Sequence, residues 1–275
     1  NPPGNEAEGA KFFKKIFDTE SISCELFEPS PSRGNLLATL KGIGEKRPIL
    51  LLNHMDVVPV EKECWEVDPF EGIIKDGYLY GRGALDNKSM GIVEMMALLI
   101  LKREGVPLKR DILFFATADE ETGGRWGIQW AMENIFLLRK SEYALNEGGY
   151  VILDESGIPD RYEISNGQKV LFQLKLKAKG TSGHASMPHP DNPNVKLIHA
   201  LEGVIKWETP YNILPMVKEY FSKMSPKQPP DERKFFDDIE KGLTDSAFSK
   251  RLTSHIIHNA MVRDTISLTI LQGGN

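Results

Sequence analysis

Residues of the types that bind metals stand where several predicted strands end. The stretch "LLNHMDVVPV" begins as a buried strand, yet it delivers His54 and then Asp56. Acidic residues follow other buried segments in the same way, at a strand end or in the next loop: Asp86, Glu120, Glu121 and Glu147. Ligands of an open α/β sheet bind beyond the carboxyl ends of its strands. One imidazole with several carboxylates therefore predicts a site for zinc or a comparable divalent ion.

The acidic pair and Asp56 also predict roles other than metal binding. In the pair Glu120–Glu121, one carboxylate can bind a metal while its neighbour, pointing elsewhere, moves protons. Asp56 lies on the same side of the strand as His54, so it can hydrogen-bond the free imidazole nitrogen and fix the tautomer. Each feature alone has a simpler explanation as a structural histidine, a solvated acidic surface or a glycine-rich turn. Their occurrence in order, each after a buried strand, favours a metal centre.

An α/β arrangement is predicted to position these residues. A helical pattern covers about Asn5–Thr19, and an apolar helix covers Lys88–Arg103. Several segments are typical of strands, namely "GNLLATL", "RPILLLNH", "DGYLYGRG", "DILFFATADE" and "YALNEGGYVI". The alternation of strands and helices predicts an α/β protein with a mostly parallel sheet.

The pattern changes after about Gln168. The segments "KVLFQLKLKAKG" and "TISLTILQGG" alternate apolar and polar residues with a period of two, which is typical of a sheet with one solvated face. Between them we predict helices at about 194–206, 211–224, 231–241 and 247–257. We therefore divide the chain into an α/β domain, residues 1–168, and an α+β domain, residues 169–275, whose sheet is unfinished.

Composition and charge argue against some partners. The 275 residues carry a net charge of −5, and Lys and Arg are scattered, which argues against nucleic acid or an anionic membrane as a partner. No apolar run approaches the length of a membrane span. Two cysteines, Cys24 and Cys64, make no disulfide framework and favour a reducing, cytoplasmic compartment. The opening "NPPGNE" is typical of a linker, so we expect further sequence before Asn1.

Five motifs in order carry a family resemblance: "NHMDVVPV", "GYLYGRGALDNKSM", "TADEETGG", "NEGG" and "GTSGHASMP". Together they resemble the zinc-dependent aminoacylase, carboxypeptidase and deacetylase family of metallopeptidases, which includes acetylornithine deacetylase, succinyl-diaminopimelate desuccinylase and Gly-X carboxypeptidases. The resemblance covers essentially the whole chain. It implies a catalytic domain interrupted by a smaller lid domain that commonly forms homodimers. Residues 1–168 then correspond to the N-terminal part of the catalytic domain, and residues 169–275 to an incomplete lid.

The resemblance also implies a ligand set for two divalent metal ions, with zinc favoured over cobalt or manganese. Asp86 matches the carboxylate that bridges the two metals. His54 and Glu147 match the residues that complete one site with it, and Glu121 matches a ligand of the other site.

Further roles follow from the same resemblance. Glu120 matches the general base, and Asp56 matches the acid behind the histidine ligand. His184, which in isolation is typical of a solvated loop residue, matches a histidine that reaches across the dimer to the substrate carbonyl of the other subunit. A cis peptide bond is expected at Asp86–Asn87.

The sequence departs from the family in two places. Ser89 stands where many relatives have glycine. The family's second metal also needs a histidine from a late segment of the catalytic domain, whereas this chain stops at "LQGGN". The only late histidines, His255 and His258, fall on a predicted lid helix, where a solvated or partner-facing role is expected. We therefore expect a fragment of a longer enzyme, inactive by itself.

These features predict a metal-dependent hydrolase that cleaves an amide bond next to a free carboxylate, with N-acyl amino acids as the favoured substrates. A dipeptidase or carboxypeptidase of the same family is the alternative. A non-catalytic binding or dimerisation protein on the same scaffold is disfavoured, because such a protein has no need of the base Glu120. A serine hydrolase is also disfavoured, because the G-x-S-x-G motif is missing.

Overall fold

The elements of the chain alternate between strand and helix in its first half and are mainly helical afterwards. The computed structural model describes residues 4–273, so part of the predicted N-terminal linker and the end of the last predicted strand lie outside it. The strands are β1 (Ser23–Ser30), β2 (Arg33–Leu40), β3 (Ile49–His54), β4 (Ile73–Lys75), β5 (Tyr78–Tyr80), β6 (Ile112–Thr117), β7 (Tyr143–Leu145), β8 (Tyr150–Leu153) and β9 (Pro159–Glu163). The helices are α1 (Glu6–Thr19), α2 (Lys88–Arg103), α3 (Trp130–Asn134), α4 (Phe136–Arg139), α5 (Pro193–Lys206), α6 (Pro215–Met224), α7 (Arg233–Asp237), α8 (Ile239–Gly242), α9 (Ser246–Ser254) and α10 (Ile256–Val262).

The central sheet has the order β1-β2-β6-β3-β7. β3 is parallel to both β6 and β7, whereas β1 pairs antiparallel with β2 and β2 pairs antiparallel with β6. The sheet is therefore mixed, and the expectation of a mostly parallel sheet is wrong for its first strands. For the β1–β2 pair the physical reason is the short turn between Ser30 and Arg33, because such a tight connection joins antiparallel strands only. The crossover through α2 allows β3 and β6 to run parallel.

Helices cover both faces of this sheet, which explains its nearly continuous apolar strands. On one face, Phe114 of β6 packs edge-on against Phe13 and Phe17 of α1, with 5.1 Å between ring centroids in each pair. On the other face, its neighbour Phe115 is buried with Ala131 and Leu138 from α3 and α4. Because successive strand residues face opposite sides, β1, β2, β3 and β6 contribute to both cores, whereas the residues of β7 are exposed.

The chain divides into two compact units between Lys169 and Val170. In the second unit, helices α6 to α10 surround their own core, in which Phe221, Phe248 and Val262 are fully or almost fully buried. α5 has no buried residue. In the part of the chain that the structure describes, no helix combines the length and the apolar character needed to cross a membrane.

The two strands predicted in the second unit are not formed. Within the described range, residues 169–180 and 265–273 have no strand assignment. Their apolar side chains are exposed, and Val170 and Ile270 are 92% and 81% accessible. The period-two pattern identifies which side chains share a face. A strand must also pair with a neighbouring strand, and neither segment belongs to the sheets of the described residues.

Candidate metal centre

The end of β3 brings His54 close to two acidic residues from other parts of the first unit. His54 is 2% exposed, and its Nε2 lies 3.0 Å from Oδ1 of Asp86 and 3.5 Å from Oε2 of Glu147. Asp86 immediately precedes the cis peptide bond to Asn87, which confirms the expectation for that bond. Glu147 follows β7, which pairs parallel with β3 and therefore ends at the same edge of the sheet.

Two overlapping groups of side chains have the spacing of a metal site. The ligand atoms of His54, Asp86 and Glu147 lie within 4.8 Å of one another, and so do those of His54, Glu120 and Glu121. Imidazole nitrogen with carboxylate oxygen is a donor set that suits zinc and similar divalent ions. The residues present therefore fit a metal. His54 belongs to both groups, a sharing that the sequence did not indicate.

Asp56 connects the histidine to the Glu120–Glu121 turn. Nδ1 of His54 donates to the backbone carbonyl of Asp56 at 3.1 Å, and Oδ1 of the Asp56 carboxylate lies 3.4 Å from the same nitrogen. The same carboxylate accepts hydrogen bonds from the backbone N–H groups of Glu120 and Glu121, at 3.1 and 3.0 Å. Asp56 therefore orients the imidazole so that Nε2 faces the acidic cluster, and it also anchors the turn that carries both glutamates.

The electrostatics of the site favour cations. Burial alone lowers the pKa of His54, but the hydrogen bond and charge of Asp56, with the charges of Glu147 and Glu120, outweigh burial and raise that pKa to about 9. Burial acts to raise the pKa of Asp56, yet the hydrogen bonds from His54 and the two backbone N–H groups lower it. Nε2 of His54 would have to lose its proton to hold a metal ion, so metal affinity is expected to fall in acid.

The pKa values of the two glutamates are both raised. For Glu120 the main cause is burial, and the negative charges of Glu147, Asp56 and Asp86 add to it, against the opposing effect of His54. For Glu121 burial is again the main cause, followed by the charge of Asp86. A raised pKa makes a carboxylate a better proton acceptor near neutral pH.

Asp119 and Asn35, for which no role was predicted from the sequence, stabilise the Glu120–Glu121 turn through hydrogen bonds. Asp119 has a left-handed backbone (φ 67°), and its carboxylate accepts hydrogen bonds from the Trp126 N–H, at 3.1 Å, and from the hydroxyl of Thr122. Asn35 on β2 accepts from the Ala118 N–H at 2.9 Å and donates to the Trp126 carbonyl at 2.9 Å. The sequence signal for this role was the position of Asn35, a polar residue, inside the apolar run "GNLLATL".

Two further contacts within the "LDNKSM" motif were also missed. Asn87, which is 2% exposed, donates from Nδ2 to Oε2 of Glu147 at 3.0 Å. Nζ of Lys88 donates to the Met55 carbonyl at 2.7 Å, next to the end of β3. Asn87 therefore orients a candidate ligand, and Lys88 ties the start of α2 to β3. The motif predicted a ligand role for its aspartate and the cis peptide bond, but not these two contacts.

His184 lies in the second unit, in a turn that its own contacts stabilise. Its Nδ1 is 2.7 Å from the Ser186 hydroxyl and accepts from the Ser186 N–H at 3.2 Å. Its carbonyl accepts from the Met187 N–H at 2.9 Å. The side chain is otherwise exposed. These local hydrogen bonds match the simpler alternative, a residue that stabilises the turn before Met187–Pro188, and they do not involve Nε2 of the ring.

The late histidines differ from the prediction of one continuous helix. His255 precedes α10 and caps it, because its Nδ1 accepts from the His258 N–H at 3.4 Å. His258 is half-buried, and its ring lies 5.3 Å from that of Phe221 in the core of the second unit. The interruption between α9 and α10 therefore places one side of His258 against the core, and the expected solvated or partner-facing role of the two histidines stays a prediction.

Comparison with known proteins identifies the class. The sequence model of peptidase family M20/M25/M40 matches residues 50–230, a range that includes the candidate metal ligands as well as Asp56, Glu120 and His184. The chain therefore belongs to this family, which confirms the resemblance seen in the five motifs.

Two curated relatives and one solved structure illustrate the extent of this similarity. The chain is 29% identical to human N-fatty-acyl-amino acid synthase/hydrolase PM20D1 over 98% of its own length and 54% of the relative. It is 33% identical to mouse aminoacylase-1 over 67% of its length and 44% of the relative. A metallo-carboxypeptidase of the M20 family from Sulfolobus solfataricus has 24% identity, a TM-score of 0.46, and coverage of 55% of this chain and 34% of that one. The chain thus spans about half the length, or less, of the curated relatives it matches.

Proposed function

We propose that the protein is a metal-dependent hydrolase that cleaves the amide bond of N-acyl amino acids, next to their free carboxylate. The observation that supports this most strongly is the convergence of His54, Asp86 and Glu147 beside the Glu120–Glu121 turn. Membership of the peptidase family agrees with it, and the names of two relatives specify acyl amino acid chemistry for those proteins.

Two divalent metal ions are proposed for the complete site, with zinc preferred over cobalt or manganese. His54 and Glu147 would hold one ion, Glu121 would serve the other, and Asp86 would be shared. When bound, such ions lower the pKa of water and polarise the substrate carbonyl.

The protein's own residues then carry the proton transfers. Glu120, with its raised pKa, accepts the proton of the attacking water and returns it to the nitrogen of the departing amine. Asp56 keeps His54 in one orientation throughout. We propose that His184 donates a hydrogen bond to the oxyanion that forms at the substrate carbonyl.

We also propose the larger organisation implied by the resemblance. Residues 1–168 form the N-terminal part of a catalytic domain, and residues 169–275 belong to a lid through which two copies form a homodimer. A cytoplasmic location is proposed from Cys24 and Cys64, which are both free thiols.

A substrate panel tests the proposed activity. The full-length protein, loaded with zinc, is assayed against N-acyl amino acids, the same acyl amides without a carboxylate, and dipeptides. We expect kcat/KM to be highest for the N-acyl amino acids and to fall for the amides that lack a carboxylate. A preference for dipeptides would favour the peptidase alternative, and absence of turnover on every substrate would contradict a hydrolase.

Metal binding provides a prediction that needs no substrate. Glu147→Gln is expected to weaken zinc binding by at least about tenfold. Mutating a residue that only hydrogen-bonds to a metal ligand already lowers metal affinity by that factor, and losing a ligand should lower it at least as much. Glu133→Gln, which alters an exposed glutamate on α3, is the matched control and should leave the affinity unchanged. Isothermal titration calorimetry measures both. Equal affinity of the two variants would remove Glu147 from the ligand set.

Mixing two inactive variants tests the role of His184. Full-length His184→Ala and Glu120→Gln homodimers should each be nearly inactive. A mixed dimer has one site with both Glu120 and the partner copy's histidine, so activity should return to at most about half of that expected for its two sites. Failure to recover activity, although subunit exchange is confirmed by mass spectrometry, would leave His184 with a role in its own subunit or in its turn.

A further inference from the structure

A buried polar pair lies behind the metal centre, on the α2 side of the sheet. Asn53 of β3 is 1% exposed and Glu94 of α2 is 7% exposed. Nδ2 of Asn53 donates to Oε2 of Glu94 at 2.9 Å. The two remaining oxygens of this pair, Oδ1 of Asn53 and Oε1 of Glu94, are also buried and have no hydrogen-bond partner among the described residues.

The two unpaired oxygens indicate that one of them carries a hydrogen atom and donates it to the other. An ionised carboxylate has acceptors only, and so has the amide oxygen, so neither can satisfy the other. A neutral carboxyl group has one O–H donor, and it can therefore meet a carboxamide with two parallel hydrogen bonds. Leaving both oxygens unsatisfied costs free energy in a buried site, and burying an unpaired charge costs more.

We infer that Glu94 carries a proton in the folded protein and donates it from Oε1 to Oδ1 of Asn53, and that this neutral pair is a positioning element for the metal centre. The positioning role rests on the function proposed above, whereas the protonation does not. Burial raises the pKa of Glu94 to about 7, against the opposing hydrogen bond from Asn53, which agrees with a neutral carboxyl group.

A glycine of α2 provides an independent indication that this pair is built into the fold. A Cβ atom placed on Gly91 would lie 2.7 Å from Oδ1 of Asn53. Gly91 is itself buried in α2, and glycine is less favourable than alanine inside a helix. The missing side chain leaves the space that the carboxamide of Asn53 occupies.

The position of the pair explains how it acts on the site. Asn53 directly precedes His54 at the end of β3, and α2 begins at Lys88, directly after Asp86 and Asn87. The pair therefore joins the two elements that bring Nε2 of His54 within 3.0 Å of Asp86. Through these two elements, the pair would fix the distance between two candidate ligands.

Infrared difference spectroscopy tests the protonation directly. The spectrum of the wild-type protein minus that of Glu94→Gln, recorded at about pH 6, where an ordinary glutamate is ionised, should show the C=O stretch of a neutral carboxyl group. A carboxylate band in its place would overturn the inference. This measurement needs neither metal nor substrate, so its outcome is independent of the proposed function.

Zinc affinity, measured by calorimetry, tests the positioning role. Glu94→Gln keeps both hydrogen bonds, because an amide N–H replaces the O–H, and its affinity should equal that of the wild type. The double variant Asn53→Leu with Glu94→Leu removes both polar groups, a change that is nearly neutral for stability in favourable cases. We expect its zinc affinity to fall by at least about tenfold. Wild-type affinity in the folded double variant would overturn the positioning role.

Gly91→Ala gives a second test that does not remove the pair. The added methyl group displaces the carboxamide of Asn53, while alanine favours the helix itself. Zinc affinity should therefore fall although the helix is intrinsically stabilised. The matched control is Gly203→Ala in α5, a helical glycine with open space around its Cβ position, which should leave affinity unchanged. Equal affinities for both alanine variants would contradict the inference, whereas a wild-type protein that binds no zinc would contradict the proposed function instead.

Discussion

Glu120→Gln is expected to lower the turnover of the full-length, zinc-loaded protein by at least about 100-fold, the usual contribution of a general base. Glutamine keeps the shape and the backbone hydrogen bond of Glu120 to Asp56, but it cannot accept a proton from water. Metal content should stay unchanged, because in the proposed ligand set Glu121 binds the metal and Glu120 does not. Steady-state kinetics and elemental analysis of the same sample provide both measurements.

The neighbouring residue provides the contrast for this prediction. Glu121→Gln should lower both turnover and zinc content, whereas Glu120→Gln should lower turnover alone. Glu133→Gln, on the surface of α3, should change neither quantity. If turnover survives in Glu120→Gln and is lost in Glu121→Gln with metal retained, the two roles are reversed.

Asp56→Asn is expected to lower zinc affinity or turnover by about 10- to 100-fold, the range found when the hydrogen-bonding partner of a ligand histidine is lost. The carboxylate of Asp56 accepts from two backbone N–H groups and faces His54. An asparagine replaces one acceptor oxygen by an NH₂ group, which points a donor at another donor. The imidazole or the Glu120–Glu121 turn must then move. Calorimetry with zinc and kinetics of the full-length protein detect the change.

A second aspartate offers a matched control. Asp154 also accepts from two backbone N–H groups, those of Ser156 and Ile158 at 2.8 and 2.9 Å, in the turn between β8 and β9. Both hydrogen bonds go to Oδ1 of Asp154, which an asparagine would retain, so Asp154→Ala is the variant that perturbs that turn. Asp154→Ala should leave zinc affinity and turnover unchanged. Comparable losses in both variants would show that Asp56 acts only by supporting a turn.

The sequence predicted the candidate site better than it predicted the sheet. His54 and the acidic residues stand at the ends of apolar strands, and parallel strands bring such ends to one edge. β1 was missed because the polar–apolar alternation of "SCELFEPS" covers only Ser23–Leu26, after which Phe27 and Pro29 interrupt it. Without β1, its tight antiparallel connection to β2 could not be recognised, and the sheet was expected to be mostly parallel.

Polar residues inside apolar segments were the main source of missed contacts. Asn35, Asn53 and Glu94 each interrupt a run that otherwise predicts a strand or a buried helix. Sequence periodicity assigns such residues to a face, but it does not identify the partner on another element. In the second unit, the sequence predicted a strand that the structure does not form. The alternation in residues 169–180 indicates a strand, but it does not specify the strand with which it would pair.

The sharing of His54 has a consequence for metal selectivity. An imidazole nitrogen has a single lone pair, and Nδ1 of His54 faces Asp56, so Nε2 can ligate one ion at a time. Within the described residues, the two donor groups therefore compete for that nitrogen, and an ion bound beside the first is left with carboxylate oxygens alone. Nitrogen ligands suit zinc, whereas positions made of oxygen suit harder ions such as manganese or magnesium. The described residues should therefore bind one zinc ion more tightly than a second, and the late histidine that the resemblance implies would return a nitrogen ligand to the weaker position.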